Sequence, residues 1–290
     1  MRQIHFYLFA LVMTLFCANL FAQKYEHQTT TGSPVKEHVK ASNNYITKEY
    51  RFAGFSQIYL NGSADVVYEQ REGKPAVEVY TSDNIMDLLE IYEKKGALHI
   101  GFKKGYKISY NELKIKVWSP TVSLVSIAGS GEVKMLGKVN SDRISLTVAG
   151  SGDIEYADLS CKELKVVVSG SGDIEGKRTN VGAVDISIAG SGDVDLEELN
   201  CSNLSATVTG SGEISLSGHG ANARYAVTGS GDIDADELKI QRVEASITGS
   251  GDISCHAIDF LKARVTGSGS VGYRGTPQLD IPKQNVRPLK

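Results

Sequence analysis

The sequence predicts an all-β fold, a right-handed parallel β-helix of about 20 residues per coil that opens with irregular N-terminal β coils. Three observations predict it. The tripeptide Gly-Ser-Gly occurs eight times, beginning at Gly129, Gly150, Gly170, Gly190, Gly210, Gly229, Gly249 and Gly267, so that successive copies start 21, 20, 20, 20, 19, 20 and 18 apart along the chain. In seven copies an acidic and then a β-branched residue follow: Glu132-Val133, Asp153-Ile154, Asp173-Ile174, Asp193-Val194, Glu213-Ile214, Asp232-Ile233 and Asp252-Ile253. The eighth reads Ser270-Val271. Finally, positions 14, 16 and 18 after the first glycine alternate apolar with polar, as in Leu164, Val166, Val168 and Val184, Ile186, Ile188. That alternation marks a strand with one buried face. A fixed period of about 20 residues is the signature of a stacked repeat.

Along the chain, residues 1–22 have the form of a signal peptide. Arg2 supplies the positive start, Ile4 to Phe16 is apolar but for His5 and Thr14, and Ala22 precedes the polar Gln23, where cleavage is expected. An uncleaved anchor is disfavoured because the apolar run is short for a span of about 20 residues. Lipidation at Cys17 is disfavoured by Phe16 before it. No other run is long enough to cross a bilayer. Residues 23–43 are polar, with Thr29, Thr30, Thr31, Gly32, Ser33 and Pro34, and read as a flexible linker.

A single β-helix domain is expected over 44–275. Its first part, 44–128, is strand-like but irregular and reads as opening coils that cap the core. Ala97 to Phe102 and Leu113 to Val117 alternate, Ile85 to Leu89 suits a helical turn, and Leu60 to Val66 resembles a degenerate turn copy. The regular part is 129–275. Position 4 is always Val or Ile. Position 9 carries Leu159, Leu199, Leu238 and Ile258 with Thr179 as an exception, and position 11 carries Cys161, Val181, Cys201, Ile240 and Phe260. Each copy therefore reads as three short strands joined by corners. Such a unit cannot bury its apolar side alone, but copies stacked in parallel close one core. Crossovers of this kind are right-handed. At about 4.8 Å per coil, eight copies span roughly 40 Å. The turn glycines remove a Cβ that would strike the neighbouring coil, and the intervening serines can bond along the stack. Residues 276–290 hold Pro277, Pro282 and Pro288 and read as a loose tail.

These segments together resemble the head GIN domain family, whose members carry the description "putative auto-transporter adhesin" and are frequent in Bacteroidetes-type bacteria. The resemblance runs from about residue 50 to 275. It rests on the Gly-Ser-Gly-Asp-Ile coils, Leu60 to Val66, Val77-Glu-Val-Tyr-Thr-Ser-Asp83-Asn84, Gly96-Ala-Leu-His-Ile, and Leu113-Lys-Ile-Lys-Val-Trp-Ser-Pro120. It implies a right-handed β-helix, an exported location and no known catalysis, and it carries no site residues onto this chain.

Charge and chemistry narrow the function. Of the 290 residues 30 are Gly and 6 Pro, and the formal net charge is −3. Residues 150–275 hold 19 acidic and 10 basic side chains, a balance of −9. An acidic, exported rod is a poor nucleic-acid binder. Glu132, Asp153, Asp173, Asp193, Glu213, Asp232 and Asp252 share one outward position, and Glu155, Glu175, Asp195 and Asp234 share another. Carboxylates stacked this closely repel, and Ca²⁺ would relieve that. The plainer reading, which we favour, has each carboxylate capping turn amides in solvent. Cys161, Cys201 and Cys255 are read as buried free thiols. Two coils separate the first pair by about 9.6 Å, beyond disulfide reach, and no Cys-x-x-Cys or paired His suggests zinc. His27, His38, His99, His219 and His256 are scattered, and eight equivalent serines read as a structural column rather than a nucleophile. The expected function is an exported, non-catalytic envelope binding or adhesion module for a glycan or protein partner, with self-association open. The alternatives are a structural spacer without a specific ligand and a carbohydrate-active β-helix enzyme.

Overall fold

A computed structural model describes residues 37–282 and 284–289. The expected signal peptide, with Ala22 and Gln23, lies outside the described residues. β1 (Glu37–Lys40) and β8 (Tyr106–Ser109) form a two-stranded sheet, and residues 37–39 with 105–107 belong to a small unit separate from the rest. Part of the stretch read as a linker is thus strand. Ser42 Oγ also donates to Asp83, 2.5 Å away.

The remaining described residues, 40–104, 108–282 and 284–289, build a β-solenoid. β3 (Gln57–Gly62), β10 (Leu124–Gly129) and β12 (Arg143–Gly150) stack in parallel, as do β4 (Val66–Gln70) and β11 (Glu132–Asn140). Both rows merge into β13 (Asp153–Gly170), followed by β14 (Ile174–Gly190), β15 (Val194–Gly210), β16 (Glu213–Gly229), β17 (Asp232–Gly249) and β18 (Ile253–Gly267). Residues expected to share a column do so. Ile154 pairs with Ile174 and Ile174 with Val194, all three essentially inaccessible to solvent. Each fully buried aliphatic side chain of this kind contributes about 1.5–3 kcal/mol. Position 4 alone places eight of them in one line, from Val133 to Val271.

The corners differ from the expectation of three separate strands. From β13 to β17 each coil is one strand of 17 or 18 residues. Corner residues keep their ladder bonds, and the bend is absorbed by register shifts such as Leu196/Leu199 and Ala235/Lys239. A β-bulge turns a strand in this way without ending it. Two core assignments fail at the shortest coil. Another shift lies between Ile240 and Arg242, whose partners are Ala257 and Phe260. Ala257 therefore takes the inward place, Ile258 is pushed out to 46% exposure, and Phe260 is only half-buried.

The opening part is antiparallel where the repeats are parallel. β2 (Tyr45–Arg51) pairs with β5 (Ala76–Ser82), β5 with β9 (Leu113–Ser119), and β9 lies parallel to β4. On the other face β6 (Leu89–Lys94) pairs with β7 (Ala97–Phe102), which lies parallel to β3. The free edge of β6 carries Glu90, Glu93 and Lys94 and that of β2 carries Lys48, Glu49 and Arg51, charges that discourage further strand pairing. The helical turn expected over Ile85 to Leu89 lies earlier, at α1 (Asp83–Met86), with Ile85 and Met86 buried and Leu89 already in β6. At the other end β19 (Val271–Arg274) closes the regular part, and residues expected to be loose supply β20 (Gln278–Asp280) and β21 (Val286–Pro288). β20 pairs with β18 and β21 with β19, and Arg264 Nη2 donates to both oxygens of the Asp280 carboxylate at 3.0 and 2.9 Å. Among the described residues no helix is long and apolar enough to cross a membrane.

Candidate functional site: an outward carboxylate column and an axial groove

The turn fixes where the outward side chains stand. Gly129, Gly150, Gly170, Gly190, Gly210, Gly229, Gly249 and Gly267 pair in sequence, with Gly62 beginning the column. All eight hold φ between 122° and 142°, a region costly for any residue with a Cβ. A Cβ at Gly170 would also strike the Gly150 carbonyl oxygen, and one at Gly172 the Gly152 carbonyl oxygen and a Val148 methyl. The serine between the glycines donates its backbone N–H to the preceding coil, as from Ser171 to the Gly150 oxygen at 2.9 Å and from Ser191 to the Gly170 oxygen at 2.8 Å. The stack is thus bonded through the serine amides.

The seven acidic residues follow this turn, and aspartate and glutamate behave differently. Asp153 Oδ1 accepts from the Asp173 N–H at 3.0 Å, Asp173 Oδ1 from Asp193 at 2.9 Å, and Asp193 Oδ1 from Glu213 at 2.9 Å. Asp232 Oδ1 accepts from Asp252 at 2.7 Å, and Asp252 Oδ1 from both the N–H and the Oγ of Ser270, at 2.7 and 2.9 Å. Glu132 and Glu213 make no such bond. Above them the N–H groups of Asp153 and Asp232 turn to the carbonyl oxygens of Gly131 and Gly212, at 3.2 and 3.1 Å. One extra methylene carries each glutamate elsewhere, Glu132 to Lys134 at 2.8 Å and Glu213 to the Ser215 hydroxyl at 3.4 Å. Sequence reading missed the first member of the row. Asp65 Oδ1 accepts from the Glu132 N–H at 3.2 Å, and Gly62-Ser63-Ala64-Asp65-Val66 carries the repeat pattern with one glycine replaced.

In the second column Glu155, Glu175 and Asp195 are register neighbours. Partial burial, then Glu155, Asp195, Asp173 and Asp153, raise the Glu175 carboxyl above its ordinary value. Partial burial and then Glu197 raise that of Asp195. Among the described residues no group of three or more His, Cys, Asp or Glu side chains is placed to hold a metal ion. Among the described residues the three cysteines are free, Cys201 and Cys255 buried as expected and Cys161 only half-buried. Burial pushes the Cys161 and Cys201 thiols up to about 11 and that of Cys255 to about 12, so they stay protonated and unreactive.

A second feature was not foreseen. Two adjoining concavities, of about 600 and 380 Å³, share Ala183 and Val184 and follow the solenoid axis. Their floor is the inward column of Ile144, Leu164, Val184, Leu204 and Ala223. One wall is a register column, Arg143, Glu163, Ala183, Asn203, Asn222, Arg242 and Phe260, continued by Gln278. Arg143 pairs with Glu163 at 3.0 Å, and Asn222 Nδ2 donates to Asn203 Oδ1 at 3.2 Å. On the other wall Arg224 pairs with Glu244 at 3.1 Å. Counting from each glycine hid the column. The longest coil puts Arg143 at position 14 and the two shortest put Asn222 at position 12 and Phe260 at position 11, where the other coils use position 13.

With this geometry in view, a family model described as "Putative auto-transporter adhesin, head GIN domain" matches residues 54–216 and 176–277. The chain belongs to this family. Crystal structures with the same architecture include a "putative adhesin" from Parabacteroides merdae, 27% identical with a TM-score of 0.66, covering 87% of this chain and 99% of that one. A "putative lipid binding protein" from Parabacteroides distasonis is also 27% identical, with a TM-score of 0.68 over 87% of this chain and 100% of that one. A "putative adhesin" from Bacteroides fragilis is 25% identical with a TM-score of 0.53 over the same shares. No curated protein matches. The head GIN match begins at Gly54, inside the antiparallel opening, and spans every regular coil.

Proposed function

We propose that this head GIN protein is an exported, non-catalytic cell-envelope module that binds a glycan or a protein partner through its stacked faces. The observation that carries the reading is the unbroken pairing of the turn glycines from Gly62 to Gly267, which returns every coil to the same register at its turn. It presents side chains in straight outward columns about 4.8 Å apart, a rigid surface suited to an extended partner. The even spacing of the turn glycines leaves no long insertion among the coils. The groups most perturbed by burial are tyrosines and thiols held in their protonated forms rather than a paired acid and base. The names of the adhesin-type neighbours agree with a binding role.

The test is fractionation of cells carrying a C-terminally tagged chain, followed by pull-down from intact envelopes. Recovery outside the cytoplasm, shortened by residues 1–22 and holding a specific partner, is the expected result. Recovery in the envelope with no partner under any condition favours a spacer. Turnover of a polysaccharide that one acidic substitution abolishes would overturn the non-catalytic reading.

A further inference from the structure

We propose that the axial groove is the binding site of the module and that its ligand is a linear acidic glycan, with a sugar carboxylate on Arg242 and a sugar ring against Phe260. This rests on the binding-module reading above and names the partner class. Four observations carry it. The groove is a shallow concavity with polar walls, over a strip of nearly buried apolar side chains from Ile144 to Ala223. Its wall is mixed in chemistry: Asn203, Asn222, Arg242, Phe260 and Gln278 stand each one coil from the next. Carboxamides and a guanidinium hydrogen-bond hydroxyls and carboxylates, and an aromatic ring packs on the apolar face of a pyranose.

The third observation is charge. Arg143 and Arg224 are committed to Glu163 and Glu244. Among the described residues, Arg242 has no ion pair or hydrogen bond although it stands exposed beside the groove. Residues 150–275 carry −9 with Arg242 included, and the groove is also lined by Glu163, Asp185, Glu244 and Lys165, so Arg242 is a local positive point on an acidic rod, and it selects where a carboxylate can settle. A guanidinium fork suits that group. The fourth is length. From Arg143 to Phe260 the wall climbs six coils, about 29 Å, and the advance of one coil is close to that of one sugar unit in an extended chain. A linear glycan therefore meets successive side chains with successive rings.

The experiment is calorimetric titration of the full chain with defined polyuronate oligosaccharides, neutral oligosaccharides of equal length, and poly-Glu peptide. The proteins are the natural chain, Arg242→Gln, Phe260→Leu and a control on the opposite side of the turn, Asp234→Asn. Melting curves and circular dichroism accompany each variant, and Phe260→Leu keeps apolar bulk at its site. The expected result is polyuronate binding that weakens at least tenfold in Arg242→Gln and severalfold in Phe260→Leu, is unchanged in Asp234→Asn, and exceeds that of the neutral chains. Equal binding of neutral chains or poly-Glu, or equal binding by all variants, overturns the proposal. If the intact protein retains an envelope partner through another face, the groove assignment fails while the module reading stands. If it retains none, both fail.

Discussion

Thr179 interrupts an apolar column of Leu159, Leu199 and Leu238, and its hydroxyl is fully buried. Tyr156, one coil earlier, accounts for it: the phenol lies 2.7 Å from Thr179 Oγ1. The ring passes beneath Gly176, where any Cβ would strike it. These three departures from the repeat are one unit. Thr179→Val is expected to cost about 1–2 kcal/mol by stranding the phenol. Adding Tyr156→Phe should recover most of that in urea denaturation, because both polar partners are then gone. Gly176→Ala should cost about 1–3 kcal/mol through overpacking. Tyr225 is the opposite case, equally buried, with no hydrogen-bond partner for its hydroxyl. Tyr225→Phe is therefore expected to raise stability by about 1 kcal/mol, and a lower denaturation midpoint would show that the hydroxyl has a partner after all. At the outward turn Asp173→Ala should cost about 1–2 kcal/mol. Asp173→Asn keeps an acceptor for the Asp193 N–H and should cost under about 0.5 kcal/mol.

At the scale of the element, one column works against the fold. The Glu175 carboxyl is raised by partial burial and then by its acidic neighbours. A raised carboxyl favours the folded state while protonated. That contribution is present below the unfolded value, near 4.3, and is lost as pH rises through the folded value. Glu175→Gln should thus raise the melting temperature at pH 7 and change little at pH 3, the gain at pH 7 being a few tenths of a kcal/mol after solvent screening. Asp83 has the reverse sign, lowered by the hydroxyl of Ser42, then Asn44, then the Asn84 amide. Its contribution is present above the unfolded value and fades as pH falls through the folded one, so Asp83→Asn should destabilise at pH 7 and not at pH 2. How far the sequence foretells each element follows from the same physics. The stacking of Ile154 on Ile174 on Val194 is legible, because a fixed period and an invariant glycine leave one register. Ile258 and Phe260 are misplaced because a coil two residues short settles its deficit at a corner, and no count from the glycine says which corner. Antiparallel pairing of β5 with β2 and β9 has no repeat to announce it. The Asp65 to Asp252 row is half legible. Its position is plain, but the split between Asp and Glu needs the reach of each side chain to the next coil.

At the scale of the solenoid, coils are exchangeable parts. Removing residues 174–193 joins Asp173 to Val194 and restores the sequence Gly-Ser-Gly-Asp-Val. The shortened protein should fold, with strand content by circular dichroism retained per residue and a lower melting temperature, since one interface is gone. Removing 174–183 leaves half a coil and should not fold. The carboxylate row also has an arrow. Each aspartate holds an acceptor ready for the coil that comes after it in the chain, never for the one before. A polypeptide emerging amino end first would find every new winding met by a landing point already in place, so the molecule can be laid down in the order it is made. Ser270 takes what Asp252 offers through both its N–H and its hydroxyl and, having no carboxylate, closes the row, so the last winding, β20 and β21, has its backbone pairing but no aspartate landing point.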